Sequence, residues 1–268
     1  MTKSSDQKEY YKHTNYQLEP AGRRKLDFIV QVLAKHFASK DPSAIKVLDF
    51  GCGKGNISLP LGSLGYQVLG VDLDQKSIKA AQTSNTFANV NFQAKDILAA
   101  ADKCSFDCLI ASEVIEHLPD PAAFFTFAQQ NLQPGGIIII TVPNGYSLEE
   151  TTRRFTTHTR IGQALKGIFK SIFLPRERII QTAADSPHVQ FFTLRRLEKI
   201  ATQAKFQLIS KKNQSIWFRG TYYLGARLFI KRGSSVFSFF DQLDGQLAEV
   251  LPLVTGDGWL LALKRTPK

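Results

Sequence analysis

Between residues 45 and 142, short β-branched apolar runs alternate with stretches of helical periodicity, and this alternation limits the fold more than any other feature of the chain. Strands are predicted at 45–50, 67–71, 89–93, 106–111 and 137–142, with helices at about 56–64, 75–88 and 120–132. Consecutive strands joined through helices are parallel neighbours, because a parallel pair needs a crossover connection. The expected fold class is therefore α/β, with helices on both faces of a doubly wound, mostly parallel sheet. FDCLIA at 106–111 and IIIITV at 137–142 are nearly unbroken apolar runs, as strands buried on both sides should be, and belong at the centre. An amphipathic helix over 18–38 carries Leu18, Leu26, Ile29, Val30, Leu33 and Phe37, and closes at Asp41 and Pro42. A helix near 193–204, a strand near 206–212 and a last strand at 258–264 follow. The expected organisation is a helical cap over 1–44 and one domain over 45–268, with insertions at about 147–187 and 215–250.

With 268 residues and 43% hydrophobic content, the chain can bury a full core. No apolar run approaches the roughly 18 residues of a membrane-spanning helix, and MTKSSDQKEYYKH lacks the apolar centre of a secretory signal. Cytoplasmic residence is expected, with peripheral membrane contact left open. Cys52, Cys104 and Cys108 are too few and too irregular for a disulfide framework or a zinc knuckle, and read as reduced thiols. The net charge of +11 is uneven: residues 1–150 carry −2, 151–178 carry +6 and 195–232 carry +9. An anionic partner, substrate or surface met by the second half is the implication.

The first strand runs into VLDFGCGKG at 47–55. Gly51, Gly53 and Gly55 let the backbone turn sharply and approach a ligand without side-chain obstruction, ahead of a helix amino terminus. By itself the turn suits a dinucleotide equally well. Asp72, in LGVDLD, ends the second strand 21 positions after Gly51, where a carboxylate can accept from both hydroxyls of a ribose. Asp74, just before QKSIKAAQ, is the better helix cap. Asp96, in NVNFQAKDI, follows the third strand and suits an adenine amino group or, more plainly, a surface turn.

VLDFGCGKG, VDLD, AKDI and FDCLIASEVIEHLPDP, in this order and spacing, resemble the Rossmann-like S-adenosylmethionine-dependent methyltransferases over about residues 45–145. The resemblance implies a seven-stranded sheet whose last strand is antiparallel. It also implies that Asp49, Gly51 and Gly53 border the methionine part of S-adenosylmethionine, that Asp72 and Leu73 hold ribose and one adenine face, and that Asp96 and Ile97 hold the base; Cys52 and Gly55 of the same turn are counted in the expected cofactor set. Ser112 and Glu113, after the fourth strand, complete the expected cofactor set. A nicotinamide-dependent oxidoreductase is the competing reading, disfavoured because the spacing is G-x-G-x-G rather than G-x-G-x-x-G.

ASEVIEHLPDP at 111–121 places Ser112, Glu113, Glu116 and His117 at the carboxyl end of that strand. His117 is the candidate general base for an acceptor that still holds its proton, and equally a residue that only orients the loop. The segment is similar to that of quinone-pathway O-methyltransferases and small-RNA 2′-O-methyltransferases. The latter resemblance would make Glu113, Glu116, His117 and His188 a divalent-metal set; no metal is assigned. RIGQALKGIFKSIF at 160–173 reads as a basic amphipathic helix, suited to an anionic membrane surface, to a lid, or simply to packing. The rings at Trp217, Phe218, Tyr222, Tyr223, Phe229, Phe237, Phe239 and Phe240 read mostly as core. The function expected is methyl transfer to a hydroxyl of a small-molecule or lipid-linked acceptor. RNA 2′-O-methylation and a non-catalytic cofactor-binding protein remain alternatives, nucleic acid is disfavoured for want of a recognisable module, and oligomeric state is undetermined.

Overall fold

A computed structural model describes residues 9–98, 105–147, 150–151 and 189–266. Cys104, His188 and the 160–173 segment lie outside the described residues. The strands are β1 (Lys46–Phe50), β2 (Gln67–Asp72), β3 (Val90–Ala94), β4 (Phe106–Ser112), β5 (Leu132–Pro143), β6 (Phe206–Ser215) and β7 (Gly258–Arg265). They form one sheet in the order β3-β2-β1-β4-β5-β7-β6. Pairings from β3 through β5 are parallel, and β7 runs antiparallel to both neighbours. The order reverses between β1 and β4, which opens a crevice at their carboxyl ends.

The helices are α1 (Gly22–His36), α2 (Ser58–Ser63), α3 (Gln75–Ser84), α4 (Pro121–Asn131), α5 (Leu194–Gln203), α6 (Phe218–Leu224) and α7 (Ser235–Val250). Alternate strand residues feed two cores. Val47, Cys108, Ile110, Ile137 and Ile139 join α1, α2 and α3 on one face, while Leu48, Leu109, Ala111, Ile138 and Ile140 join α4 and α5 on the other. β4 and β5 are thus buried on both sides, as their unbroken apolar runs require.

Boundaries depart from the sequence pattern where local chemistry intervenes. α1 begins at Gly22 rather than 18, because Ala21 takes a left-handed conformation (φ 62°) after Pro20, and Tyr16–Leu18 form a separate 3-10 turn. α3 stops at Ser84 because Asn85 adopts extended backbone and its amide donates to the Val90 carbonyl at 2.9 Å. Asp74 caps α3 by accepting from Lys76 and Ser77. β5 starts at Leu132, five residues early, and β6 continues to Ser215. No helix among the described residues is long and apolar enough to cross a membrane.

The segment between β6 and β7 is tied to α1 by ions. The Asp244 carboxylate, fully buried, accepts the backbone N–H groups of Ile216, Trp217 and Phe218 at 3.0, 2.8 and 3.0 Å, so it caps the start of α6. It also accepts the Ser215 hydroxyl at 2.8 Å and pairs with the Arg24 guanidinium at 2.7 Å. Phe218, Tyr222 and Phe237 form a small core between α6 and α7. Phe229 and Phe239, read with the core in the sequence, instead stand in solvent.

Candidate active site

β1 leads into a turn whose three glycines all have positive φ, 73° at Gly51, 52° at Gly53 and 81° at Gly55. A Cβ at Gly51 would meet Val114 Cγ2 at 2.4 Å, whereas one at Gly53 would meet nothing within 4 Å. The first glycine is thus demanded by packing as well as conformation, and the second borders open space. The turn hangs on β2, since the N–H groups of Gly51 and Cys52 donate to the Val71 carbonyl at 2.8 and 3.0 Å. The Asp72 carboxylate faces it, accepting Gly53 N–H at 2.8 Å on one oxygen and Asp74 N–H at 2.9 Å on the other. Each oxygen keeps acceptor capacity. Beside it Leu73 is 73% exposed, an apolar side chain standing at the rim. Asp96 is exposed past β3 and accepts Leu98 N–H at 3.1 Å, while Ile97 is buried below it. The Cys52 thiol is turned inward toward Gly70, and burial raises it far above the ordinary range, so only its backbone is left for a ligand.

Asp49, at the end of β1, is buried. Its Oδ2 accepts the Ser58 hydroxyl at 2.6 Å, and its Oδ1 has no hydrogen-bond partner. Burial pushes its carboxyl up to about 6, against the Ser58 bond and with help from the Asp72 charge. An orphaned buried acceptor beside a bare backbone turn calls for a cationic donor from a ligand. The donor set therefore fits S-adenosylmethionine: Asp49 for an ammonium, Asp72 for ribose hydroxyls, and Leu73, Asp96 and Ile97 around a base.

On the other side of the crevice, Ser112 and Glu113 end β4, and Glu113 holds a left-handed backbone (φ 57°) that non-glycine residues rarely adopt. Its N–H donates to the Thr141 carbonyl at 2.9 Å. A row of hydroxyls converges on its carboxylate: Tyr16 reaches Ser112, Ser112 lies 2.9 Å from Thr141 Oγ1, and Thr141 donates to Glu113 Oε1 at 3.0 Å. Arg219 of α6 pairs with Glu113 Oε2 at 2.6 Å, and Lys25 of α1 approaches Oε1 at 3.6 Å. Burial alone would raise the Glu113 carboxyl, but the Arg219 and Lys25 charges, with the bonds from Thr141 and Arg219, hold it well below its usual range. The Tyr16 phenol is pushed the opposite way, upward, by burial and then by Glu19, Asp49 and Glu113.

Glu116 and His117 follow on a 3-10 turn. Both Glu116 carboxylate oxygens are buried without a hydrogen bond, His117 Nε2 standing 4.0 Å from one of them. Burial, then the Glu113 charge, raises the Glu116 carboxyl well above normal. The Glu116 carbonyl accepts from Val189 and Gln190 at 3.0 and 2.9 Å, so the chain meets this turn again at residues 189–190. Among the described residues no three or more His, Cys, Asp or Glu are placed to hold a metal. A separate recess of about 340 Å³ between α1 and α7 is lined by Arg23, Arg24, Asp27 and Asp241, and none of its lining residues carries an orphaned buried acceptor.

Tyr16, Lys25 and Thr141 were not marked by sequence reasoning, and Arg219 stood out only as one of the cations interleaved with the rings at 217–240. Lys25 did carry a signal, a lysine in the same helical stripe as Phe28, Ile29 and Val32. Nothing in the sequence pointed Arg219 at Glu113, which it meets from 106 positions away.

A family model described as a methyltransferase domain matches residues 16–211. The chain belongs to this methyltransferase family. The family model starts at Tyr16, the residue whose phenol reaches Ser112. Among curated relatives, the mitochondrial ubiquinone biosynthesis O-methyltransferase of Mus musculus is 35% identical over 125 residues, 44% of this chain and 34% of that protein. The ubiquinone biosynthesis O-methyltransferase of Cereibacter sphaeroides is 34% identical over 140 residues, 48% and 54% of the two chains. The chain thus spans between a third and about half the length of these relatives. A putative S-adenosylmethionine-dependent methyltransferase of Listeria monocytogenes superposes with a TM-score of 0.56 at 15% identity, over 91% of this chain and 99% of that one. The chain accordingly has the sheet order and antiparallel β7 that the sequence resemblance implied, and the nicotinamide reading is set aside.

Proposed function

We propose that this methyltransferase transfers a methyl group to a hydroxyl oxygen of a small-molecule or lipid-linked acceptor, of the kind the ubiquinone-pathway relatives are named for. The observation that carries this reading is the pairing of a cofactor-side carboxylate, Asp49, with an acceptor-side group of Glu113, Glu116 and His117 at the ends of adjacent strands. When bound, the cofactor supplies an electrophilic methyl on a positively charged sulfur. Asp49 then holds its ammonium, Asp72 its ribose, and the bare turn at 51–55 admits the chain between them. Alignment of acceptor oxygen and methyl is the main contribution to rate, because the displacement is in line. An acceptor hydroxyl must also lose its proton as the new bond to carbon forms. His117, with 28% of its side chain exposed and the Glu116 carboxyl 4.0 Å behind it, is the base. Arg219 and Lys25 add positive charge that favours an oxyanion at the acceptor.

Peripheral membrane contact through 160–173 belongs to the same reading, as a means of meeting a lipid-linked acceptor. The test is transfer of labelled methyl to a catechol-bearing quinone precursor, with an amine of similar size as control. His117→Gln should lower kcat about 100-fold or more with little change in KM. Label on the amine alone would reject an oxygen acceptor, and no labelled product from any extract would favour the non-catalytic alternative.

A further inference from the structure

The connection from α6 to α7 carries apolar side chains that the site does not use. Phe229 is 86% exposed and Phe239 62%, and Leu228, Val236 and Leu243 are exposed with them. Positions 236, 239 and 243 share one stripe of α7, and the opposite stripe, Phe237, Asp241, Asp244 and Ala248, is buried. A helix that only caps a domain turns polar side chains outward, and this one turns apolar side chains out at its amino-terminal half. The preceding turn is held by its own backbone, Ile230 N–H donating to the Ala226 carbonyl at 2.8 Å, so Phe229 is presented from a built turn.

Along the sequence, the charge flanking these side chains has one sign. Arg227, Lys231 and Arg232 are exposed, and no acidic residue occurs between Glu198 and Asp241. Asp241 and Asp244 are turned inward onto Arg24. Two copies meeting through this face would bring like charges together around the two-fold axis. Rings and aliphatic groups interleaved with cations instead complement an anionic lipid interface, where rings sit at headgroup depth and basic side chains meet phosphate.

We propose that residues 227–232 and the outer face of α7 around Val236, Phe239 and Leu243 seat this protein on an anionic lipid bilayer surface. α6, which brings Arg219 to Glu113, leads directly into this turn, so the acceptor side of the crevice is joined by one short helix to the membrane-facing residues. The seat does not depend on which acceptor is methylated, since vesicle binding needs neither cofactor nor turnover.

The full chain is mixed with vesicles of equal phosphatidylglycerol and phosphatidylcholine, or of phosphatidylcholine alone, and co-sedimentation is measured. Phe229→Trp should shift its added emission to the blue on the anionic vesicles only, less so as salt is raised. Phe229→Ser with Phe239→Ser should weaken binding about tenfold or more, and Lys231→Gln or Arg232→Gln about fivefold each. The tryptophan and glutamine variants stay informative if the serine pair unfolds. The proposal is overturned if wild-type protein ignores anionic vesicles, or if the Phe229→Trp variant binds them while its added emission stays that of a ring in water. It is overturned too if sedimentation velocity shows a dimer that Phe229→Ser disperses, which would give the face to a second copy.

Discussion

Asp49 shows how one buried carboxylate couples stability to ligand chemistry. Its pKa in the folded protein, about 6, lies above the ordinary 3.8, so the folded state holds the proton more tightly than the unfolded chain does. The contribution of this group to stability is therefore largest on the acid side and falls as pH rises from about 4 through 6, by roughly 3 kcal/mol. Asp49→Asn removes that fall while keeping an acceptor for Ser58. Unfolding in denaturant at pH 4.5 and 7.5 should show the variant gaining on the wild type at the higher pH, whereas an equal difference at both would deny Asp49 the role. The same variant should bind the demethylated cofactor more weakly in calorimetry, because a neutral amide replaces the charge offered to an ammonium. The opposite holds for Glu113, whose carboxyl is held low, so the stability it contributes is lost as pH falls.

At the scale of elements, the acceptor side of the crevice is assembled from α1, α6 and the end of β4, and Asp244 is what fixes α6. Its five partners include three backbone N–H groups that would otherwise be unsatisfied at a helix start. Asp244→Ala leaves those donors and Arg24 without a partner in a buried place, and should cost about 3–5 kcal/mol. Because α6 carries Arg219, the variant should also lose methyl transfer in the fraction that remains folded, while cofactor binding at the glycine turn persists. Loss of stability with full activity would show that Arg219 finds Glu113 without this cap.

Across the whole molecule, the sheet is the rigid body that sets the two halves of the site at their separation. Ile139 in β5 is fully buried, with β4 and β7 on either side. Ile139→Ala should destabilise by about 2–5 kcal/mol and Ile139→Val by about 0.5–1.5, since the first leaves a cavity in a close-packed interior. A chemical denaturation series would measure both, and similar small losses would mean that this face of the sheet repacks freely.

The chain's sequence alone determined the strand and helix alternation, the centrality of β4 and β5, the Gly51, Gly53 and Gly55 turn, and Asp72 at the end of β2. All of these are local, because period, turn conformation and strand ends are written in neighbouring residues. The rings at 217–240 were legible only in part: Phe218, Tyr222 and Phe237 are core as their type suggests, but composition cannot say which face of α7 another element will cover, and Phe239 was left outside. Glu113 was visible as a residue after β4, yet its charge state was not. That was decided by Thr141, set beside it by the pairing of β5 with β4, and by Lys25 and Arg219, brought there by the packing of α1 and α6, and electrostatic energy depends on distances in space that sequence spacing does not contain.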